Sequence, residues 1–139
     1  MHVNNGKCQK CREIIARYPG FWPALLEWFN TLQGDLPEVH VSCAGRGQMD
    51  QEACFLRGAS KAHWTKSAHN WNVGMDLWTH IEVEPKNLYD KTVFKEIDLH
   101  RPDWIEWYGE KGSTFEEFPH FQIKGWQELC DKGVLQLVE

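Results

Sequence analysis

Apolar side chains recur at helical spacing from Cys8 to Asn30, first Ile14, Ile15 and Tyr18, then Leu25, Leu26 and Phe29, with YPGFWP as a break between them. That pattern predicts two N-terminal helices. The next stretch changes period: EVHVSCAG alternates and is rich in Val before a Gly, so a strand ending near Ala44 is expected. QMDQEACFLRGAS carries helix formers and closes at Gly58, which predicts a short helix with a Gly stop. GMDLWTHIEV has the β-branched and aromatic character of a strand, and KNLYDKTVFKEIDLHRPD reads as a helix halted by Pro102. WIEWYG and HFQI follow as two strands, and GWQELCDKG as a last short helix. Helices in front and mixed strands behind predict an α+β domain with a small, mostly antiparallel sheet.

Length changes the picture little: 139 residues suffice for one core and are too few for two ordinary domains, so a single domain over 1–139 is expected. Hydrophobic residues at 42% and charged residues at 25% exclude a disordered or fibrous class. The formal net charge of -5 argues against a nucleic-acid partner, because phosphate binders carry a basic face. No apolar run approaches the roughly 20 residues of a membrane span, and the start MHVNNGKCQK lacks the layout of a secretory signal. As written, the chain is expected to be made and kept in the cytoplasm, without a membrane anchor and as a monomer. Five cysteines without framework spacing suit reduced thiols. The pair Cys8 and Cys11 in KCQKC has the spacing of half a four-ligand zinc site, but no second pair exists, so ordinary thiols on a first helix are expected.

The candidate chemistry begins at KSAHNWNVGMDLW. Imidazole and carboxylate are both zinc ligands, and a turn through Asn70 to Asn72 would bring His69 on a loop toward Asp76 on the following strand, with Gly74 allowing close backbone approach. Taken alone, this pair is better explained by a surface loop with a satisfied His and a strand-edge Asp, because such a separation occurs often by chance. FEEFPHFQI shifts the balance. Pro119 restricts Phe118 to extended backbone, so that Glu117 and His120 can turn toward one point, a base and a third ligand. Taken alone, this segment also reads as a solvated acidic loop beside a packed His.

Together these segments carry a resemblance. SAHNWNVGMD resembles the pattern SxHxxGxAxD, and EFPHF the second half-site, of the D-alanyl-D-alanine carboxypeptidase and L-alanyl-D-glutamate peptidase family of zinc peptidases. GRGQMDQEACFLRGASKAHW resembles the family segment in which an Arg precedes a Gln by five positions, here Arg46 and Gln51. The resemblance covers roughly Ser42 to Ile123. It implies a hedgehog/D-Ala-D-Ala peptidase-like fold and one zinc ion (Zn2+) held by His69, Asp76 and His120. It further implies Glu117 as general base, Arg46 as oxyanion stabiliser, and Ser67, Gln51 and Trp71 near the substrate.

Two departures from the pattern are Asn72 in place of Gly and Gly74 in place of Ala. Asn tolerates left-handed backbone, and Gly loosens rather than blocks the strand. The family's Trp-Gly-Gly appears as Trp107, Tyr108 and Gly109, which bears on substrate preference more than on catalysis. Trp71, Trp78, Trp104 and Trp107 are candidates for a peptide or sugar groove, with core packing as the alternative. His63 lies close enough in the chain to His69 to support it. Within the family, a bare catalytic domain looks most like the phage lysis enzymes, which wait in the host cytoplasm and then cut the peptidoglycan stem peptide between L-alanine and D-glutamate. A D-alanyl-D-alanine carboxypeptidase or dipeptidase would show the same bare ends, and a related signalling domain keeps the zinc without catalysis.

Overall fold

The computed structural model describes residues 8–79, 89–107, 109 and 118–138. Helix α1, Gln9–Ala16, starts where the Cys8 side chain accepts the backbone N–H of Cys11, and α2, Pro23–Asp35, starts on a proline whose missing N–H would have no helical partner there. The YPGFWP segment separates them, and the two helices bury Cys11 and Ile15, then Leu25, Phe29 and Leu32. Strand β1, Val39–Cys43, and helix α3, Gln48–Leu56, follow. Gly58 takes the left-handed conformation (φ +79°) just past α3, and its N–H returns to the Phe55 carbonyl. This is the stop expected from a glycine one residue beyond the C-cap, here Arg57.

A single 3-10 turn, Ala68–Trp71, leads into β2, Gly74–Thr79. Helix α4, Lys91–His100, is shorter than the expected span. Asp90 caps it by accepting the N–H of Val93, and Arg101 is already extended (ψ 144°) before Pro102. The parts of the expected elements at 80–83 and 86–88 lie outside the described residues. WIEWYG narrows to the two-residue strand β3, Ile105–Glu106, because Trp107 turns its ring into an aromatic cluster with Phe94, Phe118 and Phe121 instead. Strand β4, His120–Ile123, and helix α5, Trp126–Asp131, end the order.

The four strands form one antiparallel sheet in the order β1-β2-β4-β3. Period-2 alternation divides it, except that a register shift between Val41 and Cys43 in β1 sets Cys43 opposite Asp76. Val39, Val41, Met75, Leu77, Phe121 and Ile123 are buried on one face with Leu25, Phe29, Phe94 and Ile97 of the helices. Truncating Phe29 or Phe121 to Ala would cost about 3–5 kcal/mol, the usual loss for a buried Phe. The other face carries polar chemistry: His40 opposite Trp78, Cys43 opposite Asp76, and Asp76 opposite His120. The sheet thus presents functional side chains in a row over an apolar foundation.

Candidate metal centre

Asp76 lies on β2 between its neighbours β1 and β4, so the strand register fixes what meets it. His120, directly across on β4, brings Nδ1 to 3.0 Å from Asp76 Oδ1. His69 reaches the same oxygen with Nε2 at 3.1 Å from the 3-10 turn. The turn is fixed locally: Ser67 Oγ accepts the His69 N–H, Asn70 Oδ1 accepts the Ser67 N–H, and Asn72 ends it in the left-handed region (φ +63°). Asn is one of the few side chains that adopts that conformation readily, in keeping with its place where the related pattern has Gly. Gly74 meets a close approach, since a Cβ there would lie 2.9 Å from Ala68 Cβ and 3.1 Å from His120 Cε1.

Two imidazole nitrogens therefore meet one carboxylate oxygen. Ligands about 2.0–2.1 Å from a tetrahedral ion are about 3.3 Å apart, close to the 3.0 and 3.1 Å that separate Asp76 from His120 and from His69, so each of these pairs could share a divalent cation. The three side chains here whose donor atoms all lie within 4.8 Å of one another are Cys43, His69 and Asp76. Gln122 donates from Nε2 to the Glu106 carboxylate at 2.8 Å, which turns its Oε1 toward His120 Nε2, also at 2.8 Å. In the tautomer whose Nε2–H donates to that oxygen, His120 would offer its Nδ1 lone pair to an ion shared with Asp76. Side-chain exposures of 4% for His69, 18% for Asp76 and 15% for His120 leave access from the Asp76 and His120 side.

Cys43 is a further neighbour, within 4.8 Å of the His69 and Asp76 donor atoms. Its Sγ lies 3.7 Å from His69 Nδ1, however, the ring nitrogen opposite the one that meets Asp76. Cys43 therefore suits a partner that orients the ring better than a ligand of the same ion. Charge in the cluster is tightly coupled. Burial disfavours every ion here, yet the Cys43 and Asp76 charges hold His69 above its ordinary range, and the two imidazoles hold Asp76 well below the carboxylate range. Burial would also raise the Cys43 thiol, but His69 outweighs it and lowers it.

Arg46 approaches from the loop after β1, with Nη2 4.0 Å from Asp76 Oδ2 and 3.7 Å from Cys43 Sγ. Gln51 holds it. Gln51 is fully buried, accepts from Arg46 Nη1 at 3.2 Å and from Asn70 Nδ2 at 3.1 Å, and donates to the Ala62 carbonyl and Ser60 Oγ. A cleft of about 640 Å³ opens over the site, lined by Arg46, Ser67, His69, Asp76 and His120 and by the cations Arg57, Lys61 and Lys66.

Other expected residues sit elsewhere. Trp71 donates from Nε1 to the Thr65 carbonyl, Trp78 stacks on His40, and Trp107 packs on Phe121, while Trp126 is the tryptophan that lines the cleft. His63 pairs with Glu52 at 2.9 Å. Glu117 lies outside the described residues. The sequence reading gave no role to Cys43, Gln122 or Glu106, although the period-2 spacing of Gln122 from His120 puts both on one face.

No family model matches the chain, and no curated protein matches it in sequence. Among solved structures it is similar to the crystal structure of the Serratia marcescens L-Ala D-Glu endopeptidase ChiX, with a TM-score of 0.63 and 17% identity. The match covers 86% of this chain and 90% of that one. The likeness shows a peptidase-like α+β fold.

Proposed function

We propose that the chain is a zinc-dependent peptidoglycan peptidase, an L-alanyl-D-glutamate endopeptidase of the phage endolysin type. The observation that carries this reading is the convergence of His69 Nε2 and His120 Nδ1 on Asp76 Oδ1 at the floor of a cleft that also holds Arg46. The fold likeness to an L-Ala D-Glu endopeptidase supports it. So does the charge of the cleft: Arg46, Arg57, Lys61 and Lys66 line it in a protein of net charge -5, and a stem peptide bearing the D-glutamate carboxylate matches them.

His69, Asp76 and His120 would hold the zinc, which when bound acts as a Lewis acid toward the scissile carbonyl and makes water more acidic. Glu117 takes the proton of the attacking water and returns it to the leaving amine. The Arg46 guanidinium, held by Gln51, stabilises the negative charge that develops on the carbonyl oxygen; its charge is permanent and its planar donors are already oriented. Gln51 is thereby a positioning residue. Ser67 lines the cleft while its hydroxyl caps the turn that presents His69.

The decisive experiment is digestion of purified peptidoglycan by the zinc-loaded protein beside a chelator-treated control, with mass spectrometry and end-group analysis of the products. New D-glutamate amino ends that vanish with the chelator are expected. Release of D-alanine alone would move the protein to the carboxypeptidases, and no release would leave a zinc-binding domain without catalysis.

A further inference from the structure

A second cluster of metal-ligating side chains lies at the far end of β1. Cys8 and Cys11 at the start of α1 and His40 on β1 are 1%, 0% and 1% exposed, and their donor atoms lie within 4.8 Å of one another. We propose that Cys8, Cys11 and His40 form a structural metal site that takes zinc. This inference is independent of the peptidase reading, because none of its ligands belongs to the cleft.

Several observations point the same way. A tetrahedral zinc with sulfur at about 2.3 Å and nitrogen at about 2.0–2.1 Å separates those two atoms by about 3.5 Å, and Cys11 Sγ lies 3.4 Å from His40 Nδ1. The sulfurs collect N–H donors. Cys8 Sγ accepts from Cys11 N at 3.4 Å, and Cys11 Sγ accepts from Val41 N and from Gln33 Nε2, each at 3.5 Å. A neutral thiol is a weak acceptor, whereas a metal-bound thiolate uses such donors fully. The ring of His40 is held by stacking on Trp78, with centroids 4.6 Å apart. Two thiolates and an imidazole are the donor set that selects zinc over harder cations. On binding, each thiol releases its proton to solvent, two metal–sulfur bonds and one metal–nitrogen bond form, one water retained from the hydrated ion fills the fourth tetrahedral position, and no redox partner is required.

The site explains why α1 is attached where it is. Val41 N–H belongs to the outer edge of β1 and donates to Cys11 rather than to another strand, so the cluster covers an edge that would otherwise invite a foreign strand. Gln33 of α2 joins in through Cys8 N, Cys11 Sγ and the Val39 carbonyl. A metal here would tie both N-terminal helices to the strand that carries Cys43 toward the cleft.

The test uses the full chain isolated under reducing conditions. Wild type should carry two equivalents of zinc, and His120→Ala and Cys11→Ser one each. In the double variant His120→Ala, Cys43→Ser, cobalt should still give the thiolate-to-metal charge-transfer absorption of a tetrahedral site, and zinc X-ray absorption should still show sulfur neighbours. Because Cys11 is fully buried, Cys11→Ser can fail to fold; the double variant, which leaves the cluster intact, decides the matter by itself. Absence of the band and of sulfur neighbours in that folded variant would overturn the proposal. So would an intact mass two hydrogens lighter with a mapped Cys8–Cys11 bond, since the pair would then be a disulfide.

Discussion

Asp76 Oδ1 and His120 Nδ1 lie 3.0 Å apart because the two residues are direct partners across β2 and β4. Their meeting follows from strand register, so it does not depend on a mobile loop. A one-residue slip would send His120 to the apolar face. Replacing His120 by Ala should therefore remove a metal ligand without disturbing the core, and metal analysis should show the loss of one equivalent of zinc relative to wild type. Retention of full occupancy in that variant would mean that Cys43, the neighbour on the other side of Asp76, completes the site instead.

Glu117→Ala separates catalysis from binding. In the proposed mechanism the carboxylate moves a proton and touches no metal, so the variant should keep its zinc and lose about 10²–10⁴-fold in rate on peptidoglycan, the usual contribution of a general base. A fully active variant would remove Glu117 from the mechanism.

Gln122 orients His120, receiving from its Nε2 while donating to Glu106. Gln122→Ala frees the ring to change tautomer or rotate. Zinc affinity at the cleft should drop about 10–100-fold, the typical cost of losing such a support, with little change in the melting temperature of the metal-free protein. Competition with a chelating dye measures it.

Gly74→Ala tests the closest packing at the site. The added Cβ would lie 2.9 Å from Ala68 Cβ, so the strand or the turn must shift, and 3.1 Å from His120 Cε1, which must give way slightly. Overpacking of this kind costs about 1–3 kcal/mol, so urea unfolding should show a loss of that size together with weaker zinc binding. An unchanged midpoint would mean that the turn at Ala68 can move away.

Much of this arrangement was legible in the sequence because it rests on local rules. Alternation in EVHVSCAG predicted β1, the β-branched and aromatic character of GMDLWTHIEV predicted β2, Gly58 predicted the end of α3, and the tolerance of Asn for left-handed backbone matches Asn72. What was not legible depends on partners distant in sequence. Cys43 reaches His69 across 26 positions, and Cys11 reaches His40 across 29. KCQKC read alone as thiols on a first helix, since nothing local shows that α1 lies along β1. Trp107 was expected in a strand and was a candidate for the groove or the core; its indole donates to the Phe118 carbonyl and its ring stacks on Phe121, so it belongs to the core, a choice made by tertiary packing over strand propensity.

The opposed shifts of His69 and Asp76 set a pH dependence whose sign is fixed. In the metal-free protein His69 is raised from 6.5 to about 10, so its contribution to stability is fully present below pH 6.5 and is lost as pH rises through about 10. Asp76 is lowered from 3.8, so its contribution is present above that pH and is lost as pH falls below it. The pair therefore contributes fully between pH 3.8 and 6.5. Zinc behaves in the opposite sense: it needs the His69 Nε2 lone pair that the proton occupies, so its affinity should rise as pH climbs from 6.5 toward 10. Melting temperatures of wild type and His69→Gln, each with zinc and with chelator, isolate both effects. With chelator, the advantage of wild type should shrink on the alkaline side, and with zinc it should grow. A zinc-induced gain over His69→Gln that stays constant across that range would show that proton and metal do not compete for Nε2.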